Sequence, residues 1–147
     1  MRLPMLLIAL IGASLLAFVS AAKAATLALV RPAAGPITSG FGGARGHEGV
    51  DFGRLRRLGI IAAAGGRVLR VGYQAGYDGY GKIVVVAHAN GYRTLYAHLS
   101  SVAVRPGQRV WAGRRLGIAG CTGHCTGTHL HFEVRHWGRA INPVRFF

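Results

Sequence analysis

The chain has 147 residues, with 18 Lys and Arg against four Asp and Glu, and a net charge of +14 at neutral pH. That length gives room for one domain and an export segment. The basic excess favours polyanionic surroundings, but its arginines are scattered and accompany no recognised nucleic-acid motif, so a specific nucleic-acid partner is excluded.

The first stretch differs from the rest. Arg2 is followed by an apolar run from Leu3 to Ser20 and then by small residues around Ala22-Lys23-Ala24. A basic start, an apolar run and an Ala-x-Ala site predict a secretory signal peptide over residues 1–24, cut after Ala24. The alternative is an uncleaved membrane anchor, because the run reaches the lower limit of about 17 residues for a spanning helix. Membrane attachment follows only in that second case. Either way the domain, residues 25–147, works outside the cytoplasm, in a periplasm, at the cell envelope or in the medium. Without Arg2 and Lys23 it keeps +12 of the charge. Its expected electrostatic partners are anionic wall or envelope polymers and lipid head groups.

From Gly35 to Gly138 glycine recurs every few residues, and no window carries a sustained helical period. Strand-like runs are Arg67–Tyr73, Lys82–His88, Tyr92–His98 and His129–Arg135. The second and third flank Asn90-Gly91, a hairpin signal, and Arg105-Pro-Gly-Gln108 is a further turn. The expected fold is mainly β, a compact single domain of short antiparallel strands. Gly59–Val68 and Val110–Gly120 share a pattern of small and aliphatic residues near a turn.

Three of the four acids lie inside or beside two histidine motifs. The first is Gly46-His47-Glu48-Gly49-Val50-Asp51-Phe52. Glycines argue against a helix here. On a straight strand His47 and Asp51 would stand about 13 Å apart, so joint metal binding requires a bend that Gly46 and Gly49 permit. The other reading is a surface turn with an ion pair. The second motif is Thr128-His129-Leu130-His131-Phe132-Glu133-Val134. Alternation puts Leu130, Phe132 and Val134 on a core face and His129, His131 and Glu133 on the other. That second face is either a site with converging imidazoles or a solvated strand face. Cys121 and Cys125, in an exported protein, read as a disulfide closing a small loop; a metal pair with His124 is the alternative.

These motifs resemble the lysostaphin-like (LytM-type) zinc endopeptidases that act on bacterial peptidoglycan. The resemblance runs over residues 37–143. It rests on Thr38-Ser-Gly-Phe-Gly42, on His47-x-Gly-x-Asp51-Phe52 and on Thr94-Leu-Tyr-Ala-His-Leu99. It closes with Thr126-Gly-Thr-His-Leu-His-Phe-Glu-Val134 and Asn142-Pro143. It implies one Zn2+ held by His47, Asp51 and His131, with His98 and His129 catalytic. It also implies hydrolysis of peptide bonds in peptidoglycan cross-links or stem peptides, and a mainly antiparallel β fold. Glu133 is either an outer partner of the site or a solvated strand end. The basic run Arg54-Leu-Arg-Arg57 and Thr128, where relatives often have proline, depart from the family pattern. Some relatives act as non-catalytic wall-binding activators, which is the alternative function.

Overall fold

The computed structural model describes residues 27–147; the expected signal peptide and its cleavage point lie outside them. Ten strands form one antiparallel sheet. They are β1 (Ile37–Ser39), β2 (Val50–Phe52), β3 (Gly59–Ile61), β4 (Gly66–Gly72) and β5 (Lys82–Ala87). The rest are β6 (Tyr92–Val102), β7 (Arg109–Val110), β8 (Arg115–Ala119), β9 (Leu130–His136) and β10 (Arg139–Ile141). The principal order is β1-β2-β9-β6-β5-β4-β7; β10 pairs with β9, and β8 bridges β3 and β6. The two look-alike stretches contribute β3 and β8, which pair with each other.

β5 is covered on both sides, as its unbroken β-branched run requires. Val84 and Val86 enter the main core, while Ile83 and Val85 enter a smaller cluster with Leu95 and Ala97 on the other face. The β5–β6 hairpin turns through Ala89–Gly91, with Asn90 and Gly91 both at positive φ, 58° and 75°. Asn and Gly tolerate that conformation at least cost.

β9 lies between β2 and β6, and its alternation is sharp. Leu130, Phe132 and Val134 are fully buried in the main core, so His131 and Glu133 must face the other way. β2 repeats the arrangement: Val50 and Phe52 are fully buried and Asp51 faces the opposite side. The register sets Asp51 directly across from His131 on one side and Ala97 across from it on the other.

β6 carries the irregularity that matters most. Against β5, Leu99 pairs with Lys82 and Tyr96 with Val84, so β6 has one extra residue there. Tyr96 and Leu99 both enter the main core, whereas Ala97 faces the smaller cluster. A regular strand would place residues 96 and 99 on opposite faces. The bulge resolves this, with His98 at φ 61°, a conformation that glycine usually occupies at such a position. His98 is thereby freed from the core face, and its N–H donates to Tyr80 O at 2.9 Å.

Candidate metal centre

His47 sits in the loop before β2. Gly46 turns at φ 62°, and His47 bridges back to Gly42. The chain then presses against β9 at Gly49, where a Cβ would stand 2.4 Å from Phe132 O and 2.9 Å from the His131 ring. Only glycine fits that approach. The bend brings His47 and Asp51 to one point with His131.

Their inner atoms form a small triangle. His131 Nδ1 lies 2.9 Å from Asp51 Oδ1 and 3.1 Å from His47 Nε2, and His47 Nε2 lies 3.3 Å from Asp51 Oδ1. Tetrahedral zinc with bonds of about 2.0–2.1 Å requires ligand separations of about 3.3–3.4 Å. The triangle is thus one face of such a tetrahedron within a few tenths of an ångström, leaving a fourth corner toward the cleft. Two imidazoles and a carboxylate are a donor set that zinc accepts. Among the described residues this is the group of His, Cys, Asp or Glu side chains close enough to share a metal ion.

The outer nitrogens fix which atoms face a metal. His47 Nδ1 donates to Gly40 O at 2.6 Å, and His131 Nε2 donates to Glu133 Oε1 at 3.0 Å. A carbonyl or carboxylate can only accept, so these nitrogens carry the protons and leave His47 Nε2 and His131 Nδ1 as ligands. With no metal bound, a proton takes that place on His131. Burial opposes its charge, but the Asp51 and Glu133 carboxylates outweigh burial and push His131 up to about 9. Asp51 is held below the usual carboxylate range: burial works to raise it, and the bond to His131 and the charges of the surrounding imidazoles override that.

Two further imidazoles border the triangle. His98 Nδ1 donates to Thr122 O at 2.8 Å, and His129 Nδ1 donates to Gly127 O at 2.8 Å. Each therefore keeps Nε2 free to take up or give a proton. The two rings stand 4.6 Å apart, and His129 Nε2 is 3.9 Å from Asp51 Oδ1. Burial pushes the His98 pKa down, against the bond to Thr122, so its neutral form prevails near neutral pH.

Glu133 is fully buried, so the solvated-strand-end reading is corrected. Its Oε1 also accepts from Tyr80 Oη at 2.6 Å, and its Oε2 accepts from Arg135 Nε at 2.6 Å. Arg135 reaches on to Glu48 at the cleft wall. Burial would raise the Glu133 pKa; the bonds from His131, Arg135 and Tyr80 hold it below the ordinary value instead. Tyr80 and Arg135 are the parts of this network that sequence reasoning missed. Arg135 is next but one to Glu133 on β9, which was the available signal; Tyr80 offered none.

The five residues singled out in the sequence thus line one open cleft, with Arg45, Glu48, Asp78, Tyr80 and His124 on its walls. The histidines given no role stand apart or serve packing. His88 bonds Gly65 O and Thr94 far along β5, His136 stacks on Tyr92, and His124 borders the cleft. Cys121 and Cys125 are paired, with Cα atoms 5.6 Å apart, within the range a disulfide spans. They close the loop that carries Thr122, the acceptor for His98.

Comparison with known proteins bears on this cleft directly. The profile of peptidase family M23 matches residues 45–143. A Haemophilus influenzae protein described as an uncharacterized metalloprotease is 45% identical over 109 residues, 74% of this chain and 22% of that protein. The murein hydrolase activator NlpD of Escherichia coli is 36% identical over 116 residues, 78% of this chain and 30% of that protein. The DD-carboxypeptidase/endopeptidase Mpg of Neisseria meningitidis is 41% identical over 98 residues, 67% of this chain and 22% of that protein. The chain thus spans less than a third of these relatives. A putative M23 peptidase from Pseudomonas aeruginosa superposes with a TM-score of 0.73 at 36% identity, covering 83% of this chain and 51% of the other. A zinc-containing peptidase from Vibrio cholerae gives 0.66 at 33% identity, covering 80% and 38%.

Proposed function

The chain belongs to peptidase family M23, and from that premise we propose that it is an exported zinc metalloendopeptidase that hydrolyses peptide bonds in peptidoglycan cross-links or stem peptides. The observation that carries the reading is the His47–Asp51–His131 triangle with two protonatable imidazoles beside it. His47, Asp51 and His131 would hold one zinc ion. Zinc bound there would supply a Lewis acid for the scissile carbonyl and lower the pKa of water at the open corner.

The remaining work falls to the protein. His98 and His129, each anchored through Nδ1, present Nε2 to that corner. One takes the proton of the attacking water as oxygen bonds to the carbonyl carbon. The other gives a proton to the amine nitrogen as the C–N bond breaks, so the products are a carboxylate and a free amine. Both rings are anchored by backbone carbonyls through Nδ1, which fixes their tautomer and leaves Nε2 as the nitrogen that exchanges a proton. Glu133 fixes the His131 ring through Nε2 and leaves Nδ1 aimed at the metal. The Cys121–Cys125 disulfide would steady Thr122, and with it His98.

The second reading is a non-catalytic wall-binding module that activates another hydrolase. It is favoured by the likeness to NlpD. Zinc content and release of new amino termini from purified peptidoglycan separate the two. The hydrolase reading expects about one zinc per chain, loss of both signals in His131→Ala, and activity lowered roughly 10²–10⁴-fold with zinc retained in His98→Ala or His129→Ala. A chain that holds no zinc and releases no amino termini would favour the activator reading, whereas one that holds zinc but cuts no wall preparation would overturn the substrate assignment.

A further inference from the structure

The four acidic side chains line the cleft or bond its His131, and a second region of the surface holds only the opposite charge. β3 and the segment Arg31–Ala34 form the walls of a pocket lined by Arg31, Arg57 and Arg115 together with Gly59 and Ile61. An adjoining pocket shares Arg31 and adds Arg56. No acidic residue lines either. Among the described residues, the carboxylate ion pairs of arginine all involve Arg135, so these four have no such partner.

The pocket is built rather than incidental. Arg31 Nη2 donates to Gly35 O at 3.0 Å, and its guanidinium lies 5.1 Å from the Phe52 ring centroid and 5.7 Å from that of Phe147. Those contacts hold it in place while leaving other N–H groups to bind. Arg115 lies across Gly59, where a Cβ would stand 2.7 Å from its Nη2; glycine makes the floor on which the guanidinium rests. Planar guanidinium forks suit phosphate oxygens. Apolar side chains flank the cations. Ile118 pairs with Gly59, so its side chain shares the outer face with Arg115, and it is 36% exposed; Leu58, 47% exposed, precedes Gly59 in the chain.

We propose that this face docks the domain on the head groups of an anionic phospholipid membrane, with a lipid phosphate seated among Arg31, Arg57 and Arg115. Exposed aliphatic side chains beside arginines fit the boundary between head groups and acyl chains. A soluble phosphate would use the arginines but leave Leu58 and Ile118 exposed to water. The face shares no lining residue with the cleft, so docking leaves the cleft free for substrate.

The test is flotation of the full chain with vesicles of phosphatidylcholine alone and with equal parts of phosphatidylglycerol. The quantity read is the ratio of anionic to neutral partitioning, which cancels any contribution of the apolar run. Arg57→Glu/Arg115→Glu lowers that ratio by roughly 30-fold or more, at roughly fivefold per basic residue lost near an anionic surface. Leu58→Ser/Ile118→Ser lowers binding to the anionic vesicles while leaving its salt dependence intact. The charge-matched control Arg93→Glu/Arg139→Glu, at the start of β6 and in β10, changes the ratio much less. Should Arg57→Glu/Arg115→Glu fail to fold, judged by its melting temperature and zinc content, Arg57→Gln/Arg115→Gln takes its place. An equal loss in the control shows a net-charge effect and overturns the proposal. So does release of the bound chain by millimolar inorganic phosphate, which would make a soluble phosphate the ligand.

Discussion

At the scale of single residues, the centre depends on which imidazole nitrogen carries a proton. Glu133 decides this for His131. In Glu133→Gln the shape is kept, but the amide can offer its NH2 as well as its oxygen, and Arg135 loses a charged partner. Zinc affinity is expected to fall about 10–100-fold, measured by competition with a chromophoric chelator, with the fold intact by circular dichroism. Proton linkage gives a second expectation. Binding must displace a proton from His131, whose pKa stands at about 9 before metal binds. A raised pKa keeps the proton on below that value, so zinc affinity rises with pH and levels off near 9. The gain from this group is about tenfold per pH unit below the plateau, and calorimetry in buffers of different ionisation enthalpy would count the released proton. The expected ligand triad was legible through the family resemblance, because spacing and residue type alone left a surface turn and a solvated strand face open. Arg135 and Tyr80 were not, since a hydrogen bond to a buried carboxylate depends on rotamers and on a loop position that no local pattern encodes.

At the scale of elements, the loop before β2 and the bulge in β6 do the aiming. Gly49→Ala tests the first. Its new methyl would stand 2.4 Å from Phe132 O and 3.0 Å from Glu133 Cγ, so β2 and β9 must separate at the Asp51–His131 pair. A loss of about 2 kcal/mol or more is expected, in the upper part of the usual range of overpacking costs, and denaturant titration measures it. Zinc affinity should fall in the same variant. The bend between His47 and Asp51 was foreseeable from the glycines only on the condition that both residues meet at one point, since a straight strand would hold them about 13 Å apart. The bulge was not. Tyr92–His98 reads as an ordinary alternating strand, and the extra residue becomes visible only against the register of β5.

At the scale of the whole molecule, lowered pKa values in two ranges tie stability to pH. Burial lowers His98 and His88 from their ordinary value of 6.5, while, against burial, hydrogen bonds and neighbouring charges lower Glu133 from 4.5 and Asp51 from 3.8. A lowered folded pKa adds stability that is full above the ordinary value and is lost as pH falls below it. The metal-free protein should therefore weaken in two stages on acidification, the first beginning near 6.5 and the second near 4.5. Thermal melts in graded buffers would show both, and Glu133→Gln should move the second onset down toward 3.8, where the Asp51 contribution remains. The fold class was legible in the strand runs, the turns and the alternation of β9, all local signals. The pairing of β8 with both β3 and β6 was not, because it joins segments whose sequences carry no mark of their distant partners. The extra residue of β6 has one more consequence. Tyr96 and Leu99 already face the core, so deleting one position between them would restore plain alternation and leave both core contacts in place. What would vanish is the outward imidazole. Loss of codon 98 alone would thus strip the cleft of one imidazole with the scaffold undisturbed.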